Sequence, residues 1–405
     1  MIATLLLAAA LRHRAVVPPA DPPPQLWFAQ HALPLRTTEP TTDDSDLGPL
    51  LALIGNARVV ALGDATHGTH ELYSLKLRLV PYLVVHAGFR TVALEGPYDL
   101  EALDTFVKTG QGDPAAALSI DAYFFWHIQE ALDLVLWIRA WNAAGNPTVS
   151  IASIDSVRPL APTDAVVAYL RGVDAAAADR AAARYDCLND YWTRNSYSAM
   201  PPEYHQACRD GVRAVRAELE ARHADEAAMH AARVAEQTEE DFATERLSRD
   251  AHLAENILWH AARAKTIVIG HMVHFGRLDY DFNGPRVVSA GTLLTASLGS
   301  DYVSFASTMY SGRLSQLLPT GVAIVDIPPP PPADVAQIFA RAAMPAMVVP
   351  LRNVPSWLAG RRQWRIAATN APSMARPTYT IEGDLAAGWD AIVYVDTTSA
   401  TRLLP

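Results

Sequence analysis

Acidic and imidazole side chains follow four apolar runs of this sequence, at the points where the runs end. They are Asp64 and His67 after residues 58–62, Glu95 after 91–94, Asp155 after 148–154, and His271 and His274 after 265–269. Such groups can move protons, because an imidazole accepts a proton from water, a carboxylate orients the imidazole, and donors stabilise the resulting oxyanion. The pattern predicts a proton-transfer site assembled from four separate segments.

The elements that must position these groups follow from the hydropathy pattern. Each run is short, continuous and rich in β-branched residues, and amphipathic helical segments alternate with the runs; one example is the Leu72, Leu75, Leu79 and Leu83 spacing that ends near Gly88. This alternation is typical of a parallel sheet buried on both faces. We predict an α/β fold whose mostly parallel central sheet is flanked by helices. Its strands would deliver their carboxyl ends, and the polar groups there, to one edge.

A stretch rich in Ala, Arg and Glu separates the third run from the fourth, with helical patterning from about residue 176 to 263. It is too long to be a loop of a compact domain, so we expect a helical insertion. The predicted organisation is a lead-in over residues 1–27, an α/β core over 28–160 and 264–405, and a helical insertion over 161–263.

Composition narrows the possible partners. The net charge is −10 and no block of basic residues occurs, which argues against a nucleic-acid partner. The apolar segment Ile2–Leu11 is too short to span a membrane, although its length fits a signal-peptide core. Arg12 and Arg14 follow this segment rather than precede it, so a cytoplasmic location is favoured over export. The sequence indicates no oligomeric state.

The two cysteines, Cys187 and Cys208, lie 21 positions apart and fit no zinc-binding pattern. Two interpretations stay open at this point. Either both are free and act as small apolar residues, or they form one disulfide between two helices, which requires an oxidising compartment.

Common catalytic motifs are absent from the sequence. There is no G-x-S-x-G elbow, no phosphate-binding loop, and the H-E-x-x-H zinc pattern that His70 and Glu71 begin is broken by Ser74. We therefore predict no cofactor and no metal site. What is left is a cluster of histidines and carboxylates without a side-chain nucleophile, which suits a directly activated water.

Six blocks of sequence, in order, resemble the erythromycin esterase family. They are Gly63–Gly68 (GDATHG) with Lys76 and Arg78, residues 88–95, Trp126 and Glu130 with residues 137–139, residues 249–256 with Arg249-Asp250, His271–His274 (HMVH), and residues 291–294. The blocks quoted lie between residues 63 and 294, and the resemblance is taken to extend over about residues 30–400.

The resemblance implies a metal-independent hydrolase of a small-molecule ester, in a family known for opening macrolide lactones and inactivating antibiotics. It implies that His67 is the general base, that Asp64 and Glu95 orient it, and that Lys76 supplies positive charge. His271 and His274 would stabilise the oxyanion or protonate the departing alkoxide. The implied substrate contacts are Thr66, Arg78, Trp126, Glu130 and Asp155, with the helical insertion as one wall of the cleft.

Two positions depart from the family pattern. Asp64 stands where the family has Glu, and Met272 stands where its H-N-x-H motif has Asn. These departures motivate one alternative, a non-catalytic binding protein of the same fold. Two others stay open: a metal-dependent hydrolase, because the histidines and carboxylates could hold a divalent ion, and acyl transfer to another alcohol, which uses the same activated oxygen nucleophile. The identity of the substrate is not predicted.

Overall fold

A computed structural model describes residues 21–120, 123–189, 197–281, 285–367 and 379–405 of the chain. The signal-like segment Ile2–Leu11 lies outside these residues. Within the described part, no helix combines the length and the apolar character that crossing a membrane requires.

The described helices and strands alternate along most of the chain. The strands are β1 (Leu33–Pro34), β2 (Val59–Asp64), β3 (Thr91–Pro97), β4 (Ser150–Asp155), β5 (Thr266–His271), β6 (Tyr280–Asp281), β7 (Arg286–Val287), β8 (Tyr302–Leu318), β9 (Gly321–Ile327), β10 (Ala346–Pro350), β11 (Arg361–Ile366), β12 (Tyr379–Asp384) and β13 (Ala391–Thr398). The helices are α1 (Pro24–His31), α2 (Gly48–Ile54), α3 (His70–Ala87), α4 (Ala102–Thr109), α5 (Pro114–Leu118), α6 (Gln129–Ala143), α7 (Leu160–Val173), α8 (Ala175–Asn189), α9 (Pro202–Ala221), α10 (Glu226–Ala243), α11 (Arg249–Ala261), α12 (Met272–Phe275), α13 (Ala290–Leu298), α14 (Ala336–Phe339) and α15 (Leu385–Gly388).

The main sheet has the strand order β1-β10-β13-β8-β2-β5-β3-β4, with β9 paired to β8 outside this path. The six strands from β13 to β4 run parallel. β1 and β10 pair antiparallel at the edge next to β13, and β9 pairs antiparallel with residues 312–318 of β8. Alternate residues of β2 enter two different apolar clusters, Val60 with Leu75 of α3 and Val59 with Leu253 of α11. The predicted α/β fold, a mostly parallel sheet flanked by helices, is confirmed.

The four strands predicted from the apolar runs are β2, β3, β4 and β5, which lie next to one another in the sheet. All six residues of β2 and of β5 are buried, as expected of strands covered on both faces. In their parallel register Asp64 is the Cα partner of His271. Two of the predicted site residues therefore end neighbouring strands at the same level.

The long strand β8 is not among the strands predicted from the apolar runs. β8 spans 17 residues and pairs with both β2 and β13 at the centre of the sheet. Its buried Ser304, Ser307 and Thr308 interrupt the apolar pattern. Since these polar side chains face packed neighbours, no continuous apolar run marks the strand.

Helices α7 to α10 enclose an apolar cluster of their own, which includes Tyr185, Val212 and Phe242. A disulfide joins Cys187 of α8 to Cys208 of α9, with the two Cα atoms 5.6 Å apart, so the structure favours the paired form of the cysteines. Helix α11, inside the predicted insertion, packs against β3, β4 and β5 instead. That residues 161–263 form a helical insertion into the α/β core stays a prediction.

Candidate active site

The ionisable residues predicted for catalysis lie at the carboxyl ends of β2, β3, β4 and β5. Asp64, Asp155 and His271 are the last residues of β2, β4 and β5, and Glu95 lies two residues before the end of β3. His67 and His274 follow three residues after their strands end. The structure thus brings six side chains from four strands to one edge of the sheet.

His67 is held between an acidic residue and an aromatic ring. Its Nδ1 lies 2.9 Å from Oδ1 of Asp64, a short contact that is not well aligned as a hydrogen bond. The phenyl ring of Phe125 stacks on the imidazole with 4.2 Å between centroids. A proton on Nδ1 is favoured by the neighbouring carboxylate, which leaves the lone pair on Nε2. Among the described residues, no hydrogen bond engages this Nε2.

Asp64 is kept ionised by a buried lysine. Nζ of Lys76, two turns into α3, donates to Oδ2 of Asp64 at 2.5 Å, and both side chains are almost completely buried. Burial raises the pKa of Asp64, but the ammonium group of Lys76 and the imidazole of His67 lower it by a larger amount, so the net shift of the pKa is downward. The shorter Asp64 therefore reaches both partners although the family pattern has Glu at this position.

Glu95 lies between the histidines. Its Oε2 is 3.9 Å from Nε2 of His67 and accepts the backbone N–H of His271 at 2.6 Å. Its Oε1 accepts from Nη2 of Arg249 at 2.8 Å. Burial raises the pKa of Glu95, but the guanidinium group of Arg249 and the backbone N–H of His271 are among the neighbours that lower it more strongly, so the carboxyl group stays ionised.

His271 offers an N–H group toward the same space. The backbone N–H of Val273 donates to its Nδ1 at 3.4 Å, which leaves the ring proton on Nε2. That Nε2 is buried and has no hydrogen-bond partner among the described residues. Burial lowers the pKa of His271 to about 4, so the ring is neutral near pH 7. Its centroid is 5.4 Å from that of His67.

His274 lies in a network that the sequence analysis did not assign. Its Nδ1 is 2.8 Å from Oδ1 of Asp250, and its Nε2 is 3.0 Å from Nη1 of Arg249. Arg249 also donates to Oδ2 of Asp155 at 2.5 Å. The only sequence signal for a role of Arg249 and Asp250 was that they belong to one of the family-like blocks. Their spacing does not indicate contact with a strand end more than 90 residues away in sequence.

The segment Tyr123–Trp126 covers this cluster with aromatic rings. Besides the stacking of Phe125 on His67, Nε1 of Trp126 donates to the backbone carbonyl of Glu95 at 2.9 Å. The hydroxyl of Tyr123 donates to Asp155 at 3.4 Å. Trp126 and Asp155, both expected to bind substrate, thus contact the cluster itself, and Tyr123 and Phe125 are additions to the predicted set.

Three other expected substrate contacts have partners elsewhere. Arg78 is buried and donates to Asp44, Asp46 and the carbonyl of Thr37. Glu130 is buried against His70 and Arg402. Oγ1 of Thr66 accepts the backbone N–H of Gly68 and shapes the loop. These contacts connect Arg78 to the segment that precedes α2 and Glu130 to the start of α3 and the C-terminal segment, which sequence spacing alone does not reveal.

Glycines allow the elements of the site to approach closely. A Cβ at Gly270 would lie 2.5 Å from Oε2 of Glu95, and one at Gly68 would lie 2.0 Å from the carbonyl oxygen of Ser315. A Cβ at Gly63 would lie 2.7 Å from Cα of Met272, whose side chain is completely buried. Met272, the second departure from the family pattern, is therefore a packing residue in this protein.

Metal ligation was weighed as an alternative from the sequence. Within the described ranges, no three His, Cys, Asp or Glu side chains are grouped so that they could hold a metal ion. Instead, Lys76 and Arg249 donate to the carboxylates of Asp64, Asp155 and Glu95.

Fold and site together define an α/β protein with paired imidazoles and carboxylates at the carboxyl edge of a parallel sheet. The chain belongs to the erythromycin esterase family, whose model matches residues 84–398. Family membership supports a hydrolase that acts on a small molecule.

Two curated relatives are similar in sequence. Erythromycin esterase type II of Escherichia coli is 23% identical over 331 residues, which are 72% of this chain and 78% of that protein. The putative hydrolase YbfO of Bacillus subtilis is 27% identical over 124 residues, 30% of this chain and 27% of that protein.

Solved structures share the fold. A Bacillus cereus protein has a TM-score of 0.83 at 26% identity, and a protein described as a succinoglycan biosynthesis protein has 0.84 at 22%; each alignment covers 94% of this chain and 98% of the other. The erythromycin esterase EreC, as a mutant in its open conformation, has a TM-score of 0.69 at 16% identity, over 88% of this chain and 95% of EreC.

Proposed function

We propose that this protein hydrolyses a carboxylic ester or a macrocyclic lactone with a water molecule activated by His67. The observation that carries the proposal is the geometry of His67, whose Nδ1 is 2.9 Å from Asp64 while its Nε2 faces Glu95 at 3.9 Å. A water at a hydrogen-bond distance of about 2.8 Å from both Nε2 and Oε2 fits this separation. Glu95 would orient that water, and Nε2 would take its proton.

The first step would form the bond between the water oxygen and the acyl carbon of the ester. The proton moves from water to Nε2 of His67, and the resulting imidazolium is stabilised by the ionised Asp64. Lys76 supports this arrangement because it keeps the buried Asp64 negatively charged. General-base catalysis of this kind typically contributes about 10²–10⁴-fold to the rate.

The carbonyl oxygen of the substrate gains negative charge as that bond forms. The unpartnered Nε2–H of His271 is the donor best suited to it, since the ring is neutral, buried and 5.4 Å from the proposed base. The tetrahedral intermediate then loses its alkoxide, which takes the proton from His67. The products are one carboxylic acid and one alcohol, or one hydroxy acid from a lactone.

Trp126 and Asp155 are proposed to shape the site rather than bind substrate, because both are engaged within the cluster. Arg78 and Glu130 are not included among the proposed substrate contacts, since each is committed to other partners. We propose that the helices α7 to α10 form one wall of the cleft and influence the choice of substrate.

Activity on macrolides is the more specific part of the proposal. Its support is the similarity to erythromycin esterase type II, at 23% identity. Cleavage of erythromycin would give antibiotic inactivation as a function, whereas cleavage of other esters alone would restrict the proposal to the esterase reaction.

The experiment incubates the purified protein with p-nitrophenyl butyrate, ethyl benzoate, a macrocyclic lactone and erythromycin, and detects products by mass spectrometry. We expect cleavage of at least one of them, with loss of about 10²-fold or more of kcat in His67→Ala. His86→Ala is the matched control, because His86 is an exposed histidine of α3.

Full activity of His67→Ala would contradict the role of His67. Ester consumption without a carboxylic acid product would favour acyl transfer to another alcohol. If none of these esters and lactones is cleaved and one of them binds tightly, the hydrolase function is refuted and a binding protein is supported.

A further inference from the structure

Two adjacent residues at the start of α11, Arg249 and Asp250, touch the site without a part in the proposed proton transfers. Arg249 contacts residues from three strand ends: Glu95 at 2.8 Å, Asp155 at 2.5 Å and His274 at 3.0 Å. A cation in the first turn of a helix opposes the helix dipole. The position of Arg249 is therefore explained by its partners at the sheet edge and not by the stability of α11.

We infer that Arg249 and Asp250 are positioning residues: Arg249 fixes the carboxylate of Glu95 opposite His67, and the pair holds His274 neutral with its proton on Nδ1. The part that concerns Glu95 rests on the proposed function, whereas the protonation of His274 does not.

The form of His274 follows from what each neighbour can do. A guanidinium group has only N–H donors, so Nη1 of Arg249 at 3.0 Å requires an unprotonated Nε2 as its acceptor. Oδ1 of Asp250 at 2.8 Å accepts the proton of Nδ1. Asp250 is itself fixed, because it also accepts from the hydroxyl of Tyr280 at 2.8 Å and from the backbone N–H of Ala290 at 3.0 Å.

The competing state is an imidazolium. Burial lowers the pKa of His274, but Asp250 and Glu95, whose Oε1 lies 3.4 Å from Nε2, raise it, and their effect is the larger. Arg249 opposes them, and the remaining neighbours are the rings of His271 and Tyr280. The imidazolium is nevertheless disfavoured, because its Nε2–H would face an N–H of Arg249 at 3.0 Å, and two N–H groups repel each other strongly at that distance.

In this arrangement the two histidines of the HMVH motif have different roles. His271 keeps an unpartnered Nε2–H for a substrate oxygen, whereas both ring nitrogens of His274 are occupied. The one N–H of His274, on Nδ1, is engaged by Asp250 and is not free for a departing alkoxide. It acts through Arg249, which it helps to hold against Glu95.

The first test needs no substrate. Histidine is labelled with nitrogen-15 in the full chain, and the ring nitrogens are assigned by NMR with His274→Gln identifying the signals. We expect one protonated and one unprotonated ring nitrogen for His274 near pH 7, with the proton on Nδ1. Protonation of both nitrogens, or a proton on Nε2 alone, would overturn the inference whatever the protein hydrolyses.

The second test measures kinetics on p-nitrophenyl butyrate, or on the best substrate of the panel. Arg249→Met should lower kcat by about 10²-fold with less than about a threefold change in KM, and Arg249→Lys should lose about tenfold, because one ammonium cannot serve three partners. Arg263→Met is the control, as Arg263 lies just beyond α11 and pairs with Glu226.

Circular dichroism establishes that each variant is folded. Unchanged kcat in a folded Arg249→Met variant would contradict the positioning role. A wild-type protein that cleaves none of the esters would instead refute the proposed function, and the NMR result would still decide the protonation of His274.

Discussion

At the scale of single residues, the proposed base depends on a chain of buried charges. His67 is oriented by Asp64, and Asp64 is ionised because Lys76 lies 2.5 Å away. An unpaired buried carboxylate would be neutralised by protonation, and a neutral Asp64 would no longer stabilise an imidazolium. The role of Lys76 is therefore electrostatic, although it is not in contact with the proposed water.

Lys76→Met tests this chain of charges. Without the ammonium group, burial raises the pKa of Asp64, so the acidic limb of the kcat/KM profile should move to higher pH by about one unit or more. Lys108→Met is the control, since Lys108 pairs with Asp104 at the surface. A pH profile that overlays the wild type would show that Lys76 does not control Asp64.

Sequence reasoning located the titratable groups but not all their partners. Asp64, Glu95 and His271 were found because each follows an apolar run by no more than two residues. Arg249 and Asp250 were not assigned, because they start a helix, where charged residues are ordinary. Only the packing of α11 on β3, β4 and β5 shows that this helix start faces the site.

At the scale of elements, the close approach of neighbouring strands sets the position of Glu95. Gly270 of β5 lies against Glu95 of β3, and a Cβ there would come 2.5 Å from both Cβ and Oε2 of the glutamate. Rotation of the glutamate side chain can relieve the contact with Oε2, but its Cβ moves only with the backbone, so β3 must also shift from its usual spacing to β5.

Gly270→Ala should therefore displace the carboxylate of Glu95 and lower kcat by about 10²-fold, as misplacement of a reacting group by about 1 Å does. Gly172→Ala is the matched control, since nothing lies within 4 Å of a Cβ at that helical position. It should leave kcat unchanged and stabilise the protein slightly. Equal kinetics of the two variants would contradict the account of strand packing.

The elements themselves were predictable where the sequence shows a clear period. The strands β2 to β5 and the helix α3 follow from continuous or helical apolar spacing, and Gly88 ends α3 in a left-handed conformation with φ of 73°. β8 does not follow, because Ser304, Ser307 and Thr308 are buried by tertiary packing that no local pattern encodes.

At the scale of the whole molecule, buried histidines link folding to pH. Burial lowers the pKa of His230 to about 3 and that of His260 and His271 to about 4. These values lie below the ordinary histidine pKa of about 6.5, so the unfolded chain binds more protons between pH 4 and 6.5. Their contribution to stability is complete above about pH 6.5 and is lost as the pH falls toward 4.

We expect the midpoint of thermal unfolding to decrease from pH 7 to pH 4.5, and the double variant His230→Gln/His260→Gln to show a smaller decrease. Neither residue is part of the proposed mechanism, so the variant should keep the activity of the folded enzyme. Hydrogen bonds to Asp241 and Glu240 raise the pKa of the buried His252 to about 9, which acts in the opposite direction, so the comparison between variant and wild type is the test. An equal decrease in both proteins would contradict the sign of the lowered pKa values.

The central claim is that water activated by His67 attacks the substrate directly. A single turnover in isotopically labelled water, with enzyme in excess over a cleaved ester, tests it by mass spectrometry of both acid product and protein. The account predicts that the acid carries the label after this first turnover and that the protein carries none. An unlabelled acid together with label in Glu95 or Asp64 would instead mean that a carboxylate is the nucleophile, and would contradict the account.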